Sequence, residues 1–145
     1  MATDVQTRSL SGLTGGRRGA LLAYRWLLLA FLLAGGTQIF LAGLAVFSVT
    51  GHGASTDSAF SAHRGLGFAM AGAAVIILVL ALIARPGVLP LALAGVLVVQ
   101  TCLVQSLLAG LADNAALYGG LHALDGLLVL AIAGFLYASA RRWRS

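Results

Sequence analysis

The sequence predicts an all-α integral membrane protein, a four-helix bundle, on three observations. Of 145 residues, 60% are hydrophobic and 9% are charged, with a mean hydropathy of +0.99, far outside the range of an ordinary soluble domain. The apolar residues form continuous runs, not the alternating stretches of about ten residues that mark a barrel strand. Their summed length covers about four crossings at roughly 20 residues each and leaves nothing for a soluble domain.

Residues 1–24 are polar and rich in Gly, Ser and Thr, and read as a disordered cytoplasmic tail. The first span is expected over 26–49, from Trp26 to Val49. That run is too long for the core of a signal peptide, and no small-residue cleavage site follows it. It carries Gly35-Gly36-Thr37-Gln38 and then Gly43, small residues that let helices approach, beside an amide that can bond across an interface or reach a ligand. Residues 50–62 form a turn-rich loop. Ser61 or Asp57 serves the start of the next helix, and His52, between two glycines, reads as a solvated loop residue.

The second span, 63–84, is stopped by Arg85-Pro86-Gly87. The third, 89–111, has Pro90 in its first turn and follows so short a connection that these two spans must be antiparallel neighbours. It carries Gln100, Thr101, Gln105 and Ser106. Gln100 and Gln105, five apart, do not share an α-helical face, so at least one is expected to bond between helices. The single cysteine, Cys102, can form no intrachain disulfide and reads as a packing residue. After a loop at 112–117 with Asp113 and Asn114, the fourth span runs over 117–138. Residues 141–145 form a basic tail, Arg141-Arg142-Trp143-Arg144-Ser145, that anchors it at the interface.

The net charge of +5 comes from nine arginines against four aspartates, without lysine or glutamate. Eight of the nine arginines fall in the N-terminal region, the 2–3 turn and the C-terminal tail. The positive-inside rule then predicts a multi-pass plasma-membrane protein with both ends cytoplasmic. Topology and contact with the lipid bilayer account for the excess charge, and no nucleic-acid partner is called for. The two remaining loops face outward. A short repeat points the same way: Leu41-Ala-Gly-Leu-Ala45 recurs as Leu108-Ala-Gly-Leu-Ala112, and each copy is followed by an outer loop and His-x-x-x-Gly. Two parallel helix-pair repeats about an axis along the bilayer normal would set His63 and His122 at one depth, facing each other.

Histidine is costly in a bilayer, so a matched pair points to a functional site in which each is the other's partner. Haem iron takes two neutral imidazoles as axial ligands, and a bundle core is a usual place for it, which nominates His63 and His122 as metal ligands. Gly67 and Gly126, one turn after each histidine, share its helix face and would leave a flat gap for a macrocycle. Gly65, Gly119 and Gly120 add room. Arg64 could pair with a propionate or extend to the surface. Asp125 could fix the tautomer of His122 or pair with Arg64 across the bundle. Gln38 and Gln100 complete the expected cofactor-side residues.

Gln38-Ile39-Phe40-Leu41-Ala42-Gly43, then His63-Arg64-Gly65-x-Gly67, then Val99-Gln100 with Leu107, then Leu121-His122-Ala123-Leu124-Asp125-Gly126 resemble one four-helix half of the haem A synthase family. They are also similar to small four-helix bacterial membrane proteins with the same paired signatures. The resemblance covers about residues 25–140 and implies that His63 and His122 hold one haem. The chain departs from that family in having one half, no glutamate and no outer-loop cysteine pair, so the resemblance does not extend to the family's oxidative chemistry.

The expectation is therefore a small haem-b-binding protein with bis-histidine ligation near the outer leaflet, for electron transfer or haem handling. A quinone or a larger respiratory complex would be its partner. The alternative is an accessory or structural subunit of a membrane complex, without a cofactor of its own. Hydrolase and nucleotide chemistry find no Ser/His/Asp set and no phosphate-binding glycine loop, and a channel finds no polar path from face to face. Gly67 with Ala71 and Ser106 with Gly110 suit close packing within one bundle or between copies in a homo-oligomer.

Overall fold

The computed structural model describes residues 8–9 and 15–144. Four of its helices are long and apolar enough to cross a membrane. They are α1, Gly15–His52; α3, Ser61–Ala84; a broken helix over Val88–Leu111; and α6, Ala116–Arg141. The broken helix consists of α4, Val88–Val99, a π turn at Gln100–Val104, and α5, Gln105–Leu111. A single turn, α2, Thr56–Ala59, lies in the loop between α1 and α3. Near the chain ends, Arg8–Ser9 pair in parallel with Trp143–Arg144.

The N-terminal region departs from expectation. Helix α1 begins at Gly15, so residues 15–24 are helical rather than disordered. Ala20, Leu21 and Tyr24 are buried in the core, and Arg17 Nη2 donates to the Ala84 carbonyl at 3.2 Å. That bond satisfies an open carbonyl at the end of α3 and sets a positive charge at the negative pole of its dipole. Tertiary contact therefore extends the helix where composition argued for a tail. At 38 residues, α1 is about 57 Å long and outruns a hydrocarbon core of about 30 Å. The rest of the expected tail, 1–7 and 10–14, lies outside the described residues, as does Ser145.

The other boundaries follow local chemistry. Arg85 takes a left-handed conformation (φ +49°), its N–H bonds the Ala81 carbonyl at 2.8 Å, and Gly87 at φ +129° starts the return. In the α1–α3 loop, Ser55 caps α2, its Oγ accepting the Ser58 N–H at 3.3 Å. Helix α3 begins at Ser61 after Phe60 with no side-chain cap bond, so neither Ser61 nor Asp57 caps it. The π turn was not legible in the sequence. Thr101 Oγ1 donates to the Leu97 carbonyl at 2.7 Å, which competes with the α ladder, and the Gln105 N–H reaches back five residues to the Gln100 carbonyl.

Helix α1 packs against α3 and α6, and the broken helix packs against the same two. This leaves α3 and α6 facing each other diagonally across the bundle without direct backbone packing. The core is lopsided. Tyr24, Leu28, Phe31, Ile77, Leu97 and Leu136 are fully buried, and all lie toward the end that carries the termini and the Ala84–Val88 turn. Toward the opposite end, among the described residues, buried side chains are few, Ala45 and Asp125 among them.

Candidate functional site

His63 stands in the first turn of α3 and His122 in the second turn of α6. The diagonal arrangement brings their rings together in the loosely packed end away from the termini, with centroids 6.1 Å apart and planes at 67°. Both are half-buried. His63 Nδ1–H donates to the Gln38 carbonyl at 3.2 Å, and His122 Nδ1–H donates to the Gln105 carbonyl at 3.2 Å. With the proton on Nδ1, each Nε2 carries the lone pair, and neither Nε2 has a hydrogen-bond partner among the described residues. Metal-ligating histidines characteristically donate their second ring N–H in this way. Two imidazoles bound to one ion at about 2 Å each would have centroids about 6 Å apart, close to the observed separation. Phe60 meets the His63 ring edge-on at 6.0 Å.

The four groups form a repeated unit. Gln38 and Gln105 open the two copies of Gln-x-x-Leu-Ala-Gly-Leu-Ala, and each presents its carbonyl to the histidine of its own half. The glycines one turn on are used differently from expectation. A Cβ at Gly67 would lie 3.1 Å from Gln38 Nε2, and one at Gly126 would lie 3.6 Å from Gln105 Nε2. The gap expected for a macrocycle at these glycines is taken by the glutamine amides. Sequence reasoning missed Gln105 as a site residue, although extending the Leu-Ala-Gly-Leu-Ala match by three residues toward the N-terminus would have found it.

Asp125 is buried, and its neighbours differ from those expected. Gln100 Nε2 donates to Oδ1 at 2.7 Å and Gln105 Nε2 donates to Oδ2 at 2.9 Å. Gln105 Nε2 also reaches the His122 carbonyl at 3.0 Å. The α-helical period puts residues five apart on different faces, but the π turn has a wider period and brings Gln100 and Gln105 to one face. Gln100 is thereby tied to Asp125 and not to the imidazole pair. Asp125 does not set the tautomer of His122, whose Nδ1 bonds the Gln105 carbonyl instead.

Nor does Asp125 pair with Arg64. One residue past His63, Arg64 points about 100° around the helix, out of the bundle. There it donates to the Asp57 carbonyl at 2.6 Å and stands 3.5 Å from Asp57 Oδ1. Gln38 has no counterpart to Asp125, and its Oε1 is buried without a partner. His52 ends α1, exposed. Cys102 points its thiol at the Ala71 carbonyl at 3.7 Å, as a packing residue would. Among the described residues no three His, Cys, Asp or Glu side chains gather into a metal-type cluster, so the site rests on the imidazole pair. No family model, curated protein or solved structure matches the chain.

Proposed function

We propose that the chain is a small haem-b-binding protein of the plasma membrane, with both ends cytoplasmic and with His63 and His122 as axial ligands near the outer leaflet. The observation that carries this reading is the imidazole pair: two rings on diagonal helices, 6.1 Å between centroids, each held by a carbonyl through Nδ1. The loosely packed end in which the rings meet supports it.

Bound haem supplies a one-electron couple whose potential follows its axial ligands and their surroundings. The chain's own residues do the rest. The carbonyls of Gln38 and Gln105 fix both rings as neutral Nδ1 tautomers and raise their basicity as ligands. Their level placement suits electron transfer with a partner at the outer side, a quinone or a larger respiratory complex, and equally suits haem handling.

The test is spectroscopic. Protein purified in detergent should show a Soret band and, on reduction, the split visible bands of a six-coordinate b-type haem. His63→Ala and His122→Ala should each abolish the six-coordinate spectrum while the helical circular dichroism signal stays unchanged. A colourless preparation that takes up no added haem would leave the accessory-subunit reading in its place.

A further inference from the structure

On the outside of the bundle, between α5 and α6, lies an open groove of about 570 Å³ lined by Leu108, Leu121, Leu124, Leu128, Ala131 and Asp125. Asp125 is the only polar side chain in that lining. Its carboxylate has about four acceptor sites and receives two side-chain donors, from Gln100 and Gln105, while the residue keeps 9% of its surface accessible. In hydrocarbon no water is at hand to fill the remaining sites, and an acceptor left bare there is costly.

The scaffold itself does not require this carboxylate, because the other half of the repeat does without it. Three residues after His63 stands Leu66, and one turn before Gln38 stands Ala34. The cleft at those positions, between α1 and α3, includes Leu27, Phe31, Ala34, Leu66 and Met70, is lined wholly by apolar residues and measures about 170 Å³. Ligand sites are usually roughly 300–1,000 Å³, apolar, with a few placed polar groups. The α5/α6 groove, though open, reaches that size and carries one placed polar group, and the α1/α3 cleft does neither.

We propose that the α5/α6 groove binds an isoprenoid hydroquinone, a ring hydroxyl donating to the Asp125 carboxylate and the hydrocarbon tail lying along the leucines. A hydroxyl donor meets the one chemical need of the groove, and a tail of bilayer origin meets the other. This names the site of the electron partner in the haem reading, on which its purpose rests. Gln105 links the two sites, since its amide holds Asp125 and its carbonyl holds the His122 ring. Binding itself needs no haem, so the two readings can fail separately.

The probe is heptyl-hydroxyquinoline N-oxide, a fluorescent quinol analogue, titrated into detergent-purified full-length protein. Quenching should saturate at one probe per chain. His63→Ala protein, free of six-coordinate haem, should bind the probe as wild type does. Asp125→Leu should weaken binding about tenfold or more, as expected for loss of a hydrogen bond to a charged group. Leu124→Trp fills the groove from its exposed side without touching the carboxylate, and it should weaken binding comparably with helicity and elution volume unchanged. No saturable quenching in wild type, unchanged affinity in both groove variants, or displacement by an equal concentration of oleyl alcohol would each overturn the proposal. The last outcome would mark a general lipid contact.

Discussion

In the first half of the bundle, α1 and α3, Gln38 gives its carbonyl to His63 and its amide lies against Gly67. In the second half, the broken helix and α6, Gln105 does the same with His122 and Gly126. What is common to both is the unit that orients an imidazole. The second half alone has the π turn, the two amides clamping Asp125, and a groove about three times the volume of its counterpart. A duplicated skeleton thus separates two kinds of residue. Those present twice serve the histidines, and those present once serve something beside them.

The deepest break in this comparison comes from stripping the clamp. Gln100→Leu combined with Gln105→Leu leaves Asp125 buried without a donor, and an uncompensated buried carboxylate costs about 3–5 kcal/mol. Unfolding of the double variant in mixed micelles should show a loss of that order. Adding Asp125→Leu should restore most of it, because the buried carboxylate is then gone, as in the first half, where Leu66 holds its place. If the double variant matches wild type, the clamp is not the tie that holds Asp125 in place.

The contrast between the halves also shows what the sequence could tell. Four spans, the stop at Arg85-Pro86-Gly87 and the shared level of His63 and His122 follow from apolar length, turn chemistry and the repeat. These are properties that a linear pattern encodes. The clamp was not legible, because an α-helical period sends Gln100 and Gln105 to different faces and only the π turn reunites them. The start of α1 was not legible either: Tyr24 and Arg17 draw a polar stretch into helix through partners on α3 and in the core that lie far along the chain. Of the readings open to Arg64, pairing with Asp125 across the bundle fails and extension to the surface holds, because its place one residue after His63 turns it to the α1–α3 loop.

A subtler asymmetry lies where the halves abut. Three residues before Gln38 is Gly35, whose added Cβ would collide with Leu130 of α6. Three before Gln105 is Cys102, which meets Ala71 of α3, and Ala71 and Leu130 each lie eight residues past their histidine. Small faces large at one contact, and at the other a middle-sized residue faces a small one. Gly35→Leu should therefore overpack the α1/α6 contact and lower stability by about 1–3 kcal/mol. Leu130→Ala should suppress that loss, and a double-mutant cycle should give coupling of about 1 kcal/mol or more. The neighbouring Gly36, with open space around it, should accept Leu with little change.

The smallest effect tests the one charged residue of the first His-x-x-x-Gly copy, for which the second copy has Ala123. Arg64 and Asp57 stand 3.5 Å apart with side chains 47% and 97% exposed, and exposed pairs of this kind contribute about 1 kcal/mol or less. Arg64→Ala should lower the unfolding midpoint in detergent only slightly, and high salt should narrow the difference further as the pair is screened. The same variant asks whether Arg64 belongs to the imidazole site. Held by the Asp57 carbonyl at 2.6 Å, it has a partner away from the bundle interior, so haem content and spectrum should match wild type. A marked loss of haem in Arg64→Ala would mean that the guanidinium leaves Asp57 for a propionate, and the α1–α3 loop would then have to be counted among the parts that hold the cofactor.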